Sequence, residues 1–199
     1  MGFLANAQLY VGGSIGFNNS VGKPHTGDER NKVMGFNFGP EVGYSLSDKM
    51  DVGAMLFLGT TKTTNLMDSD NKTVAKTNNW NFAPYVRYSL VEFGKFKVMG
   101  RASLFIGGQS GKTETTVAGT SLPTVDDPSI TRMGLGVTPV LSYNLSSNFV
   151  LLADLNFLNV GFSNSKVKEG RSTTRFDLGV DTDDAFRVGA LTIGFAYKF

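Results

Sequence analysis

The 199-residue sequence has no cysteine, one histidine and one tryptophan. Without cysteine there is no disulfide scaffold, no thiol nucleophile and no cysteine–zinc site. Charged residues make up 18% of the chain, below the roughly one quarter of an ordinary soluble domain. Lys and Arg (19) nearly balance Asp and Glu (17), so no basic surplus marks nucleic acid as a partner. No apolar run approaches the roughly 20 residues of a membrane-spanning helix, and no segment carries a helical repeat of apolar residues. These absences exclude a helical membrane protein. They leave open a membrane barrel, whose strands conceal their hydrophobicity in alternation. What is abundant fits that case: 24 Gly and 16 Phe, spread along the chain.

Residues 1–7 read as the remnant of a signal peptide or an N-terminal arm. Ala5-Asn6-Ala7 is a small-x-small triplet of the kind signal peptidase cuts, which makes Gln8 the expected mature start and the protein an exported one. Residues 8–199 form the second expected unit, a barrel domain. Period-two alternation predicts strands over residues 8–17, 33–46, 50–60, 80–90, 96–108, 132–145, 149–162 and 186–199. Each is long enough to cross a bilayer at a tilt. The links alternate in length. Residues 47–49, 91–95 and 146–148 are short, and residues 18–32, 61–79, 109–131 and 163–185 are long and polar. In an up-and-down meander every second link emerges at the same end. One rim therefore carries tight turns and the other long loops, as in outer-membrane barrels.

Strands running into the short turns share a repeat: Pro40-Glu41-Val42-Gly43-Tyr44-Ser45-Leu46, Pro84-Tyr85-Val86-Arg87-Tyr88-Ser89-Leu90 and Pro139-Val140-Leu141-Ser142-Tyr143-Asn144-Leu145. The last strand closes Phe195-Ala196-Tyr197-Lys198-Phe199. Tyr44, Tyr88, Tyr143 and Tyr197 fall at one height and predict an aromatic girdle at a membrane–water interface. The three prolines conflict with a continuous ladder and predict bulges or imperfect pairing near that rim.

One face of these strands is dense in Leu, Val, Ile, Phe and Tyr; the other is small or charged, with Met55, Phe57, Phe105 and Leu152 as exceptions. Volume decides which face points in. The lumen of an eight-stranded barrel is just filled by side chains, and the apolar face is too bulky to fit it. It therefore points outward, into lipid, because in water it would be an exposed patch far larger than soluble monomers tolerate. The expected fold is all-β, an eight-stranded antiparallel up-and-down transmembrane β-barrel.

The inward face gathers Glu41, Asp51, Arg87, Lys97, Arg101 and Asp154 in what is predicted to be one layer of paired charge, since an unpaired buried charge is costly. A plug is the main expectation for this network, and a salt-bridge gate passing small ions is the alternative. Enzymatic chemistry is not expected: the sole histidine, His25, sits in a polar loop beside Pro24. Gly107-Gly108-Gln109-Ser110-Gly111-Lys112-Thr113 falls one residue short of a phosphate loop and precedes no helix. The acidic groups Asp68/Asp70, Asp126/Asp127 and Asp181/Asp183/Asp184 lack calcium-loop spacing. No cofactor or metal is expected.

On these residues the chain, from Gln8 to Phe199, resembles the small eight-stranded outer-membrane barrels of Gram-negative bacteria, in the style of the OmpX/OmpA-type barrels. The sharpest element is the final strand, where Phe195, Tyr197 and Phe199 look like the terminal signal read by the barrel-assembly machinery. The resemblance implies the bacterial outer membrane, a monomer and contact with membrane lipid and lipopolysaccharide. It also implies structural or surface-interaction roles, with an external ligand for the loops. Lys23, Lys62, Lys72, Lys112, Lys168 and Arg171 are placed to meet outer-leaflet lipid phosphates.

Overall fold

The structure, a computed structural model, describes residues 8–22, 30–67, 70–155, 158–168, 170, 172–180 and 191–199. Its strands are β1 (Gln8–Gly22), β2 (Arg30–Ser47), β3 (Met50–Leu66), β4 (Lys72–Phe93), β5 (Phe96–Val117), the short β6 (Thr120–Ser121), β7 (Val125–Asn144), β8 (Phe149–Leu155), β9 (Leu158–Val167), β10 (Ser172–Val180) and β11 (Leu191–Lys198). All pairings are antiparallel. They close a ring in the order β1-β2-β3-β4-β5-β7-β8-β11 and back to β1. β9 carries on the wall begun by β8, pairing with β7 on one side and β10 on the other. Closure pairs the backbone around the ring, as a bilayer core requires.

The short links are tight turns, as expected. Phe93 pairs with Phe96 across Gly94, whose φ of +62° is a left-handed conformation suited to glycine. The long links differ from expectation, because much of their length is strand. β3 and β4 stay in register out to Leu66 opposite Lys72, and β4 and β5 out to Lys72 opposite Thr116. β9 and β10 pair through Lys166 and Ser172. Thr-rich polar sequence has good strand propensity, and outside the membrane it needs no apolar face. The alternation that marks strands in lipid fades there while the ladder continues. The run expected as one strand over residues 149–162 is instead β8 and β9. There β7 changes partner, from Val137 opposite Val160 to Val140 opposite Asp154.

That change of partner occurs at Pro139. At Pro40 the β2–β3 pairing lapses between Phe38 and Glu41, and at Pro84 the β4–β5 pairing lapses between Phe82 and Tyr85. Both resume in the same register. On their other sides Pro40 pairs with Gly13, Pro84 with Ala54 and Pro139 with Gly100. A residue in an antiparallel ladder bonds to only one neighbour, and each proline turns its missing N–H toward the side that lapses. The bulges lie elsewhere, between Ser45 and Ser47, Ser89 and Val91, and Gln109 and Gly111.

The two faces are those read from the sequence. Leu9, Val11, Ile15, Phe36, Phe38, Leu56, Phe82, Leu104, Ile106, Leu135, Ile193 and Phe195 are exposed on the outside. The core lies within the lumen at the turn end, where Tyr10, Met99, Val140, Val150, Leu152 and Ala196 pack together.

Candidate functional site

Cross-strand register places Tyr10, Gly43, Gly53 and Tyr85 in one inward row over β1, β2, β3 and β4. The two glycines leave the space that the tyrosine rings fill. A Cβ at Gly43 would run into the Tyr10 ring, and one at Gly53 would come 2.7 Å from the Tyr85 hydroxyl. The two hydroxyls meet at 2.8 Å. Tyr85 donates to Glu41 Oε2 at 3.0 Å and accepts from Arg87 Nη2 at 2.9 Å. With its single proton committed to Glu41, Tyr85 must accept from Tyr10. Arg87 Nη2 also pairs with Glu41 Oε2 at 2.8 Å, both side chains being about 3% exposed. The guanidinium lies 4.8 Å from the Tyr85 ring centre and 5.8 Å from that of Tyr10, within cation–π range. One buried cluster thus ties four side chains across the lumen. Glu41 Oε1 and Arg87 Nε remain without hydrogen-bond partners.

The six lumen charges fall in more than one cross-strand row. Asp51, Arg87 and Arg101 occupy one cross-strand row, whereas Glu41 pairs with Met55, four residues farther along β3. Arg101 turns to Asp154 at 2.9 Å, forming a second ion pair across the lumen. Asp51 joins no ion pair among the described residues and accepts instead from the Ser45 hydroxyl at 2.7 Å. Lys97 sits at the turn rim, bonded to Glu92 at 3.1 Å and to the Asp48 carbonyl at 2.9 Å. Inward positions recur every second residue along each strand, and Arg87 reaches from its own row to Glu41. At that rim the Lys97 hydrogen bond, then the Ser89 hydroxyl, hold the Glu92 carboxyl below its ordinary value.

Free space is graded along the lumen. Cavities of about 10 and 30 Å³ remain around the Glu41 and Arg87 levels. A cavity of about 190 Å³ lies above them, lined by Phe57, Tyr85, Arg101 and Phe105. The mouth at the long-hairpin end opens into about 440 Å³. Phe105 and Asn81 line both upper spaces.

Outside, Tyr44 and Tyr88 are exposed at the turn end. Tyr143 packs on Phe96 with ring centres 4.5 Å apart. Tyr197 packs edge-on against Phe149 and Phe199, each at 5.1 Å, while Phe195 stands on the outer face. At the other end, Lys62, Lys76 and Lys112 stand abreast on β3, β4 and β5, two outward positions beyond the row of Leu58, Trp80 and Gly108. Glu114 pairs with Lys76 at 2.9 Å, which lowers the pKa of its carboxyl, and Asp126 lies 3.5 Å from Lys112.

A closed antiparallel ring with an apolar exterior and ion pairs inside accords with the family of outer membrane protein beta-barrel domains, which matches residues 4–199. The chain belongs to that family. Its location is the bacterial outer membrane. Among solved structures it is similar to a major outer membrane protein from Thermus thermophilus. The identity is 16% over 97% of this chain and 99% of that one, with a TM-score of 0.49. Neisserial surface protein A gives 17% identity over 98% and 99%, with a TM-score of 0.37. The attachment invasion locus protein Ail of Yersinia pestis gives 16% over 97% of each chain, with a TM-score of 0.38. No curated protein matches the sequence.

Sequence reasoning missed Tyr10 and Tyr85 as lumen groups. The signal was in the repeat: the first, third and fifth residues after each Pro face inward, which sets Tyr85 beside Arg87 and Glu41. Val140 follows the same rule, and Met99 and Val150 are further buried lumen residues. Residues 1–7, His25, Lys23, Arg171 and Asp181/Asp183/Asp184 lie outside the described residues.

Proposed function

We propose that the protein is a closed barrel, without enzymatic activity, that works through its outer end as a structural or surface-interaction protein of the outer membrane. The observation that carries this reading is the buried Tyr10–Tyr85–Glu41–Arg87 cluster resting on the apolar core of Met99, Val140, Val150 and Leu152. Among the described residues, the spaces beside Glu41 and Arg87 hold about 10 and 30 Å³. That is room for a water or two and no hydrated ion stream. Eight strands leave no aqueous channel once the side chains meet. The paired hairpins beyond the membrane offer the surface for an external ligand, and the outward apolar band and lysine row suit lipid and lipopolysaccharide. The Phe195–Phe199 strand fits the assembly-machinery signal, and nothing in the reading calls for a second copy or for nucleic acid.

Planar-bilayer recording of the refolded protein tests this reading. The wild type is expected to be silent while its folded state is verified by heat-dependent gel mobility. Discrete conductance steps from the wild type would overturn it.

A gated channel is the second reading, favoured by one observation. Glu41 Oε1 has no partner, and Arg101 and Asp154 line the same small cavity as Glu41. Transfer of Arg101 from Asp154 to Glu41 would loosen both cross-lumen pairs together. This reading requires wild-type steps that change in Glu41→Ala.

A further inference from the structure

We propose that the mouth of the lumen at the long-hairpin end is a binding site for a small sugar that carries a phosphate or sulfate group. The cavity there holds about 440 Å³, the size of a monosaccharide or disaccharide pocket. The Phe105 ring, which laps over Gly134, lines it and also lines the cavity below. Two cations line it, Arg132 on β7 and Arg175 on β10.

Register explains how they come together. Asn81, Gly107, Arg132, Ser165 and Thr173 form one inward row across β4, β5, β7, β9 and β10. The next row toward the membrane brings Phe105, Gly134, Ser163 and Arg175 together. Glycine stands beside Arg132 in its row, at Gly107, so Arg132 has no neighbouring side chain on the β5 side.

The lining chemistry names the ligand class. Among the described residues that line the cavity there is no Asp or Glu. Deeper in the lumen Arg87 is matched by Glu41 and Arg101 by Asp154. Arg132 has no ion pair or hydrogen bond with any described residue. A guanidinium fork suits the oxygens of phosphate or sulfate, which it holds through two parallel hydrogen bonds. The rest of the wall is neutral and polar. Gln109 and Asn81 contribute amides, and Ser163, Ser165 and Thr173 contribute hydroxyls. Groups of this kind exchange hydrogen bonds with sugar hydroxyls. The Asn81 Oδ1 is buried with no partner and accepts one such bond.

The experiment is calorimetric titration of the refolded full chain in zwitterionic micelles with glucose 6-phosphate, glucose and inorganic phosphate in turn. Saturable binding of glucose 6-phosphate is expected, at least tenfold tighter than inorganic phosphate, with none for glucose. Arg132→Gln is expected to weaken it at least tenfold and Ser165→Asp to abolish it, both keeping wild-type heat-dependent gel mobility. Arg132 is exposed, so its loss leaves the barrel intact. Outward Lys112→Ser is expected to bind as the wild type does. If phosphate binds as tightly as the sugar phosphate, the sugar part of the assignment falls. No saturable binding, equal binding of glucose, or full binding by Arg132→Gln and Ser165→Asp would overturn the site.

Discussion

The hydroxyls of Tyr10 and Tyr85, 75 residues apart in sequence and on strands separated by two others, meet at 2.8 Å above Gly43 and Gly53. Two large side chains bend toward each other because the two positions between them have none. The same pair of hydroxyls passes a proton-donor sequence on to Glu41, so packing and charge in the lumen depend on one arrangement.

Gly43→Ala is therefore expected to destabilise the barrel by about 1–3 kcal/mol, the usual cost of overpacking a fitted site. The added methyl meets the Tyr10 ring. Gly100→Ala is the control, since a Cβ there has only the Leu90 Cδ1 for company at 3.8 Å. Urea unfolding in lipid vesicles measures both. Equal loss in the two variants would show that the tyrosines can move aside at no cost.

The Glu41–Arg87 pair predicts a non-additive result. Arg87→Met leaves a carboxylate buried with only the Tyr85 proton, and Glu41→Leu leaves a guanidinium with only a phenol oxygen. Each single change is expected to cost about 3–5 kcal/mol, the range for breaking a buried pair. The double variant is expected to be more stable than either single one, because no charge is stranded. A double-mutant cycle of unfolding free energies decides it, and simple addition would mean that the pair is hydrated rather than buried.

Alternation and link lengths made the ring, the strand order and the outward face legible in the sequence, because inside a bilayer each side of a strand meets one medium. The reading failed where that contrast ends. Beyond the membrane, Thr60–Leu66 and Lys72–Asn79 carry no binary pattern, yet their backbones pair without a break. Inside, the repeat gave the charges Glu41, Arg87, Arg101 and Asp154 but not their partners. Pairing depends on how far each side chain reaches between rows, and a one-dimensional spacing does not encode that. Asp51 is the clear case: it lies directly across from Arg87 and bonds to Ser45.

At the turn rim, Glu92 titrates below its ordinary value of 4.5 because Lys97 donates to it. A carboxyl with a lowered folded-state pKa stabilises the fold fully above its unfolded value, and that stabilisation is lost as pH falls through the folded one. The effect is small, about 0–1 kcal/mol for a pair this exposed. Lys97→Met is expected to raise the Glu92 midpoint toward 4.5 in an NMR titration. An unchanged midpoint would assign the shift to Ser89 instead.

Lys62, Lys76 and Lys112 stand directly opposite one another on three neighbouring strands. Like charges so placed repel, and among the described residues Lys76 and Lys112 are ion-paired, with Glu114 and Asp126. The row faces outward beyond the last apolar residues, Leu58 and Trp80, at a height suited to lipid phosphates. Near an anionic surface each lysine contributes about 1 kcal/mol. The barrel is therefore expected to gain thermal stability in vesicles containing lipid A relative to phosphatidylcholine alone. Lys62→Ser combined with Lys112→Ser is expected to remove most of that gain. In phosphatidylcholine the same variant is expected to be as stable as the wild type or more so, since it relieves repulsion. An undiminished gain in the double variant would place the lipid contact elsewhere on the barrel.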